Sequence, residues 1–182
     1  MRNIIVVPYD EIWETEFEKI KNEIIPILSD VIISIEHVGS TSVKGLYAKP
    51  IIDINIVIDS KDMLPTIVQR LDKINYTHVG DLGISGRDAF KYVDKPHLME
   101  HHLYVCPKDS LEHKRHVTFR DYLRLHPDDC EKYSKIKIEM AKKFPHDIDS
   151  YINGKQTVIL EIYEKCGLDI SYKQSPEILK HE

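Results

Sequence analysis

The stretch 37–58, HVGSTSVKGLYAKPIIDINIVI, decides the fold, because a turn motif stands between two extended segments. A β-branched run ends at Gly39-Ser40, and the following run Ile51–Ile58 is nearly continuous in Ile and Val. Such an apolar run is typical of a buried central strand. Asp53 and Asn55 interrupt it two residues apart, so they share one face of that strand. The stretch either holds a phosphate beside a metal-binding carboxylate or simply turns between two strands.

The turn has the composition of an anion-binding loop. Glycine lets a backbone approach a ligand closely, and the N–H groups beside it can hold an anion. The hydroxyl groups of Ser40, Thr41 and Ser42 add further donors. A carboxylate such as Asp53 on a buried strand costs free energy unless a metal, a cation or hydrogen bonds compensate it. With the Gly-Ser pair just upstream, we favour a site over a purely structural Asp.

Hydrophobic periodicity places the other elements around this stretch. Before Pro107 it predicts a helix, then strands, then a helix that Ser60 begins, then three more strands. The two helices are Asp10–Leu28 and Ser60–Leu71. The five strands are Val31–Val38, Ile51–Ile58, Tyr76–Val79, Ala89–Val93 and His101–Cys106. After Pro107 it predicts helices only: one capped at Asp109-Ser110 and ending at Leu125, then Pro127–Lys143, then Gln156–Cys166.

This order of elements predicts an α/β (α+β) fold. Residues 1–107 form a mixed sheet with helices, and residues 108–182 form a helical part. No Gly/Ser-rich linker separates the two, so we expect them to pack as one compact unit.

Composition excludes several classes of protein. The formal charge is −5, with 11 Lys/Arg against 16 Asp/Glu up to Pro107 and 14 against 14 after it. A duplex-binding surface usually has a basic excess, so nucleic acid is not the expected partner. The three cysteines are widely spaced and form no C-x-x-C pair. No run approaches the roughly 20 apolar residues that span a bilayer, so we expect a cytoplasmic protein.

Several longer motifs resemble one known family. The stretch 35–58, IEHVGSTSVKGLYAKPIIDINIVI, is similar to the signature of the GrpB family, and further motifs match it in the right order. These motifs are VVPYDEIW (6–13), GISGRDAF (83–90), HHLYVCPKDS (101–110), FRDYLRLHP (119–127) and YINGK (151–155). That family is placed in the nucleotidyltransferase superfamily, so the resemblance implies a nucleotidyltransferase-like mixed sheet. It also implies that Gly39 and Ser40 match the phosphate-holding loop and Asp53 the first metal carboxylate.

The predicted metal site departs from the superfamily pattern. Active members carry a second carboxylate where this chain has Asn55, whose amide oxygen can ligate Mg²⁺ but brings no charge. Two-metal phosphoryl transfer needs several carboxylates, so one metal site is weakened. Glu100 and His102 share a face of the strand His101–Cys106, and either could complete a Mg²⁺ site with Asp53.

Four basic residues are candidates for the substrate. Arg87 lies in a glycine-bearing loop, Arg120 on a predicted helix, and Lys155 where helical-lobe lysines of the superfamily face nucleotide phosphates. Lys49, at the entrance to the Asp53 strand, either neutralises Asp53 or touches the ligand.

The sequence supports three functions. The first is Mg²⁺-dependent transfer of a nucleoside monophosphate to an unknown acceptor, with Asp53 on the metal. The second, motivated by Asn55, is a catalytically degenerate protein that binds a nucleotide or another phosphorylated small molecule. The third is an interaction module with a vestigial pocket. The sequence does not define the acceptor, the base preference or the oligomeric state.

Overall fold

The structure is a computed structural model that describes residues 3–168. Five strands are β1 (Ser34–Val38), β2 (Ile52–Ile58), β3 (Tyr76–His78), β4 (Asp88–Tyr92) and β5 (His101–Pro107). Five α-helices are α1 (Ile12–Leu28), α2 (Leu64–Asp72), α3 (Leu111–Leu125), α4 (Pro127–Lys143) and α5 (Ile148–Lys165). Two short 3-10 helices, Ser40–Ser42 and Lys61–Met63, follow β1 and β2.

The strands form one mixed sheet in the order β1-β2-β5-β4-β3. The central strands β2 and β5 run parallel, and each other pair of neighbours is antiparallel. This architecture confirms the predicted α/β (α+β) class, with helices only after Pro107 within the described residues.

The two faces of the sheet have different chemistry because successive strand residues point to opposite sides. One face of β2 presents Ile52, Ile54, Ile56 and Ile58, each at most 1% exposed. These isoleucines pack in one core cluster with buried residues of α1 and α2, such as Phe17 and Ile20 of α1 and Ile67 of α2. At about 1.5–3 kcal/mol for each buried isoleucine, this face stabilises the sheet.

The other face of the sheet is polar along the same strands. Asp53 on β2 lies opposite His102 on β5, and Asn55 lies between Glu36 on β1 and Tyr104 on β5. The helices that follow β5 contribute side chains to this face. The polar residues of β2 are therefore covered by the C-terminal helices and not by α1 or α2.

Three predicted element boundaries were wrong. β1 begins at Ser34 and not at Val31, and α2 begins at Leu64 after a 3-10 turn, so Ser60 does not cap it. α5 begins at Ile148, eight residues before the predicted start at Gln156, because the Asp147 carboxylate accepts the Ser150 N–H at 3.0 Å and caps it.

Gly154 misled the prediction of α5. The predicted helix begins at Gln156, two residues after this glycine, yet Gly154 lies inside α5. A Cβ atom at this position would lie 2.1 Å from Met140 Sδ, so the glycine allows α4 and α5 to approach closely. Tyr151 and Lys155 therefore lie on one continuous helix, four residues apart.

A helix that crosses a bilayer needs about 20 consecutive, mostly apolar residues. Within residues 3–168, no helix is long and apolar enough to do so.

Candidate functional site

The Gly39-Ser40 loop turns directly off β1 and lies against β2. Gly39 has a φ of 68°, a region that L-residues with a side chain rarely adopt. A Cβ atom on Gly39 would lie 2.3 Å from Asp53 Oδ2. Only glycine therefore allows the loop to pass so close to this carboxylate.

The three hydroxyl groups of this loop have different roles. Ser42 Oγ donates a hydrogen bond to the Gly39 carbonyl at 2.6 Å. Thr41 Oγ1 donates to the Ile51 carbonyl at 3.1 Å and is hydrogen-bonded to His37 Nε2 at 3.0 Å. Both side chains are buried and brace the loop from within. Ser40 is the one predicted hydroxyl that reaches the cavity beside the loop.

That cavity, here called the lysine cavity, has a volume of about 390 Å³. Three lysines, Lys49, Lys137 and Lys155, line it, together with two carboxylates, Asp53 and Glu100. The rest of the lining is Asn3, Ile4, Ser40, Ile51, His102, Ile148, Tyr151 and Ile152. The structure thus brings six of the predicted site residues together: Ser40, Lys49, Asp53, Glu100, His102 and Lys155.

Asp53 and His102 form a hydrogen-bonded ion pair across the two parallel strands. His102 Nδ1 lies 2.9 Å from Asp53 Oδ1, and the side chains are 43% and 26% exposed. Burial raises the pKa of Asp53, but the hydrogen bond and charge of His102 outweigh it and hold the pKa below its usual range. Burial lowers the pKa of His102, and the Asp53 carboxylate raises it more. Asp53 is therefore ionised at neutral pH.

The predicted Mg²⁺ ligands do not form a metal-binding set. Asn55 is fully buried, and its side-chain amide lies 3.1 Å from His116 Nδ1 and 3.4 Å from His113 Nδ1. His102 already engages Asp53 through Nδ1. Within residues 3–168, no group of three or more His, Cys, Asp or Glu residues is placed to hold a metal ion.

Two of the cavity lysines are almost fully buried. Lys137 and Lys155 are each 2% exposed, and their Nζ atoms lie 4.3 Å and 4.4 Å from the ring centroids of Tyr133 and Tyr151. Burial, reinforced by the charge of Lys155, lowers the pKa of Lys137 well below its usual range. Lys49 Nζ lies 5.9 Å from the Tyr151 ring on the same side of the cavity.

A second, smaller cavity of about 60 Å³ also adjoins the Gly39-Ser40 loop. We call it the aromatic pocket, because four aromatic rings line it: Tyr104, Phe119, Tyr133 and Tyr163. Val38, Gly39, His116 and Leu123 complete its wall, and it shares Ser40 and Asp53 with the lysine cavity. Ser40 and Asp53 therefore lie at the junction of the lysine cavity and the aromatic pocket.

Two predicted phosphate contacts lie outside both cavities. Arg120 is held by Glu36 at 3.1 Å, Asp121 at 2.7 Å and the His37 carbonyl at 3.0 Å. Arg87 is 1% exposed and stacks over the Tyr104 ring at 4.3 Å. Its Nε and Nη2 atoms have no hydrogen-bond partner among the described residues. Arg120 links α3 to β1 through these hydrogen bonds, and Arg87 packs against the ring of Tyr104.

Sequence reasoning missed Lys137. Its Nζ atom is hydrogen-bonded to Ser40 Oγ and donates to the Tyr47 carbonyl at 3.0 Å. A signal was present, because Lys137 follows Tyr133 by four residues and precedes Met140 by three, which places it on the buried stripe of α4. A lysine on an apolar stripe needs a polar partner, and here that partner is the Gly-Ser loop.

These observations define the class: a mixed α/β protein with a lysine-lined cavity beside a Gly-Ser loop. The profile of the GrpB protein family matches residues 3–165, and the chain belongs to this family. It is 35% identical over 162 residues to the glutamate-rich protein GrpB of Alkalihalophilus pseudofirmus, covering 87% of this chain and 93% of that protein.

Two further relatives define how far this similarity extends. The crystal structure of the conserved protein GrpB from Enterococcus faecalis superimposes with a TM-score of 0.78 at 31% identity, covering 89% of this chain and 96% of the other. The chain is 34% identical over 154 residues to UPF0157 protein YqkA of Bacillus subtilis. This match covers 85% of this chain but only 44% of the length of YqkA. The Cid1 poly(U) polymerase matches with a TM-score of 0.46 at 7% identity over 72% of this chain and 45% of that one, and this likeness supports no conclusion.

Proposed function

We propose that this protein binds a phosphate-bearing small molecule, a nucleotide or another phosphorylated metabolite, in the lysine cavity. The observation that carries the proposal is the convergence of Lys49, Lys137 and Lys155 on one cavity beside Ser40. A cavity of about 390 Å³ lies within the usual range for small-molecule sites.

The charges around the cavity favour an anion. Burial lowers the pKa of Lys137, so the positive charge of the cavity comes from Lys49 and Lys155. They face two carboxylates, Asp53 and Glu100, and Asp53 is already engaged by His102. Buried ammonium groups are costly to desolvate, and an incoming anion offsets part of that cost. Lys49 and Lys155 would contact the phosphate directly, while Lys137 holds Ser40 in place. Phosphate is the anion that the GrpB resemblance implies.

The apolar part of the lining selects for more than a bare phosphate ion. Ile4, Ile148 and Ile152 line the cavity together with Tyr151. The Tyr151 ring lies 4.4 Å from Lys155 Nζ and 5.9 Å from Lys49 Nζ. A ligand with both a phosphate and an apolar or ring-containing part would contact both the lysines and the apolar residues of the lining. Nucleotides have this character.

Calorimetric titration with ATP, GTP, CTP and UTP, each with and without Mg²⁺, tests the proposal. We expect saturable binding of at least one nucleotide that does not require the metal. Lys155→Met should weaken this binding about 10-fold or more, which corresponds to about 1.4 kcal/mol. Lys135→Met is the matched control, since Lys135 lies on α4, is 73% exposed and forms a surface ion pair with Glu131.

The titration has two contrary outcomes. Equal losses in the two lysine variants, or no loss in Lys155→Met, would remove the lysine cavity as the binding site. No binding of any nucleotide or of inorganic phosphate would favour an interaction module instead. Binding that strictly requires Mg²⁺ would restore the predicted metal site.

Nucleotidyl transfer is a second candidate, favoured by Asp53 alone. Its carboxylate is partly exposed, ionised at neutral pH and shared by both cavities. Incubation with radiolabelled nucleotides, followed by product analysis, tests it. Turnover that is unchanged in Asp53→Ala would exclude this role for the carboxylate.

A further inference from the structure

Ser40 and Lys137 form a contact that phosphate binding does not require. Lys137 Nζ is hydrogen-bonded to Ser40 Oγ, although the two residues are 97 positions apart in the chain. The same nitrogen donates to the Tyr47 carbonyl at 3.0 Å. A serine hydroxyl within hydrogen-bond reach of a buried amine is the arrangement of an activated nucleophile and its general base.

The surroundings of Lys137 favour an amine that can accept a proton. Burial is the main cause that lowers its pKa well below the usual range. Lys155 on α5 and Lys49 before β2 lower it further, whereas Cys130 on α4 and Asp53 on β2 raise it. A neutral amine has a lone pair that can accept the Ser40 hydroxyl hydrogen while its own N–H donates to Tyr47.

The backbone presents Ser40 where a substrate can reach it. Gly39, with its φ of 68°, turns the chain sharply off β1, and Ser40 follows at once. Ser40 is half-buried and lines both the lysine cavity and the aromatic pocket. A substrate that occupied both cavities would place the atom that joins its two parts next to the Ser40 hydroxyl group.

We propose that Ser40 is a catalytic nucleophile, with Lys137 as its base, and that it takes a short acyl group from an ester or anhydride with a phosphate-bearing leaving part. The acyl group would occupy the aromatic pocket. The leaving part would occupy the lysine cavity, and this half rests on the proposed function.

The chemistry balances with water as the second reactant. Lys137 accepts the Ser40 hydroxyl proton, the Ser40 Oγ–carbon bond forms, and the bond from the acyl carbon to the leaving oxygen breaks. The departing oxygen takes the proton from Lys137. Water then attacks the acyl-enzyme ester, gives a proton to Lys137 and releases the carboxylic acid, and Lys137 returns a proton to Ser40.

The size of the aromatic pocket defines the acyl group. An apolar cavity of about 150 Å³ holds a benzene molecule. The aromatic pocket has about 60 Å³, which suits an acetyl or propionyl group. We therefore expect acetyl esters to react at least 10-fold faster than octanoyl esters.

Acylation by p-nitrophenyl acetate tests the nucleophile without using the anion site. We expect a burst of one p-nitrophenolate per chain, and a single acetyl group that peptide mass spectrometry places on Ser40. Ser40→Ala should abolish the burst. Lys137→Met and Lys137→Arg should slow it about 100-fold or more, because neither can act as the base.

Matched controls separate this chemistry from general surface reactivity. Ser85→Ala removes an exposed loop hydroxyl, and Lys135→Met removes an exposed lysine from α4. Both should retain the full burst. Thermal melting of each variant shows whether it folds, and the wild-type pH profile gives a second measurement in case Lys137→Met does not. The acylation rate should rise through a single step well below the usual lysine pKa of about 10.4.

The outcomes are distinct from those of the proposed function. Two results would overturn the assignment of Ser40 as the nucleophile and Lys137 as its base: an acetyl group on any residue other than Ser40, or an unchanged burst in folded Lys137→Arg. Acetyl phosphate is the probe for the anionic half, and inorganic phosphate should inhibit its hydrolysis competitively. If Ser40 is acylated by p-nitrophenyl acetate but phosphate neither binds nor inhibits, the acyl chemistry stands and the lysine cavity loses its assigned ligand.

Discussion

The two faces of the central sheet are built from alternating residues of the same strands, yet they differ in almost every property. On β2, Ile52, Ile54 and Ile56 face α1 and α2, and Asp53 and Asn55 face the C-terminal helices. The first face is a continuous apolar core. The second combines an ion pair, a buried amide and two cavities.

This contrast shows how one strand separates stability from chemistry. The isoleucine side holds the sheet in place through burial, which is non-directional and penalises a polar group that lacks a hydrogen-bond partner. The other side depends on hydrogen bonds whose partners come from distant segments, such as His102 and His116. A shift of one residue in the register of β2 would exchange the two sides and destroy both.

The largest expected effect tests the apolar face. Ile54→Ala should lower the free energy of unfolding by about 4 kcal/mol, because Ile54 is fully buried and its removal leaves a cavity. Urea unfolding measures this loss, and Ile33→Ala, at a position that is 55% exposed, should stay within about 0.5 kcal/mol of the wild type. A loss below about 1 kcal/mol in Ile54→Ala would mean that this face is not the stabilising one.

The next effect uses a histidine on the apolar face. His37 pairs with Ile54 in the sheet and stacks on Phe17 of α1 at 4.8 Å. Burial lowers its pKa from 6.5 to about 4, so the folded protein favours the neutral ring. Its contribution to stability is complete above pH 6.5 and is lost as the pH falls from 6.5 towards 4, by up to about 3 kcal/mol.

Unfolding measured between pH 4 and pH 7.5 checks this sign. His37→Gln should flatten the acid side of the stability curve, while His101 and His113, whose pKa values are also lowered by burial, act equally in both proteins. Parallel stability curves for the wild type and His37→Gln would show that protonation of His37 does not destabilise the folded protein.

A pair of glycines sharpens the description of the polar face. Gly39→Ala adds both a strained φ and a clash with Asp53 Oδ2, whereas Gly45→Ala, at φ 86°, meets nothing within 4 Å. We expect Gly45→Ala to cost about 1 kcal/mol and Gly39→Ala about 2 kcal/mol or more. Gly39→Ala should also abolish ligand binding. Equal costs in the two variants, with binding retained, would mean that the loop can move away from Asp53.

The smallest effect concerns the helix that covers the polar face. Ser110 Oγ accepts the His113 N–H at 3.0 Å and caps α3, so Ser110→Ala should cost about 1 kcal/mol. Ser60 makes no such cap, and Ser60→Ala should have an effect within about 0.5 kcal/mol. Thermal melting distinguishes the two, and a loss in Ser60→Ala equal to that in Ser110→Ala would contradict the assignment of the caps.

Sequence reasoning succeeded where a local signal was strong. The continuous Ile/Val run predicted the central strand, the two-residue spacing put Asp53 and Asn55 on one face, and the Ser110 and Pro127 signals gave the starts of α3 and α4. It failed at Gly154, because the sequence does not distinguish a glycine that allows two helices to pack closely from a glycine that precedes the start of a helix.

The candidate site was harder to predict because its contacts are long-range. Asp53, Ser40 and Lys155 stood out as residue types in motifs, and they do line one cavity. Nothing in the sequence near Arg87 indicates that its guanidinium is buried against Tyr104 instead of facing a ligand. Whether a basic side chain meets substrate or packs inside depends on which surfaces the tertiary fold brings together.

The separation along the chain of the groups that form the two cavities has a consequence for folding. Asp53 and His102 are 49 residues apart, and Lys137 and Ser40 are 97 apart. Closing such long loops is entropically costly and slow compared with forming a local helix. During synthesis, the sheet strands through β5 are complete before α4 and α5 exist. A nascent chain therefore exposes its charged strand face to water until Lys137 and Lys155 arrive, and the basic compartment forms last.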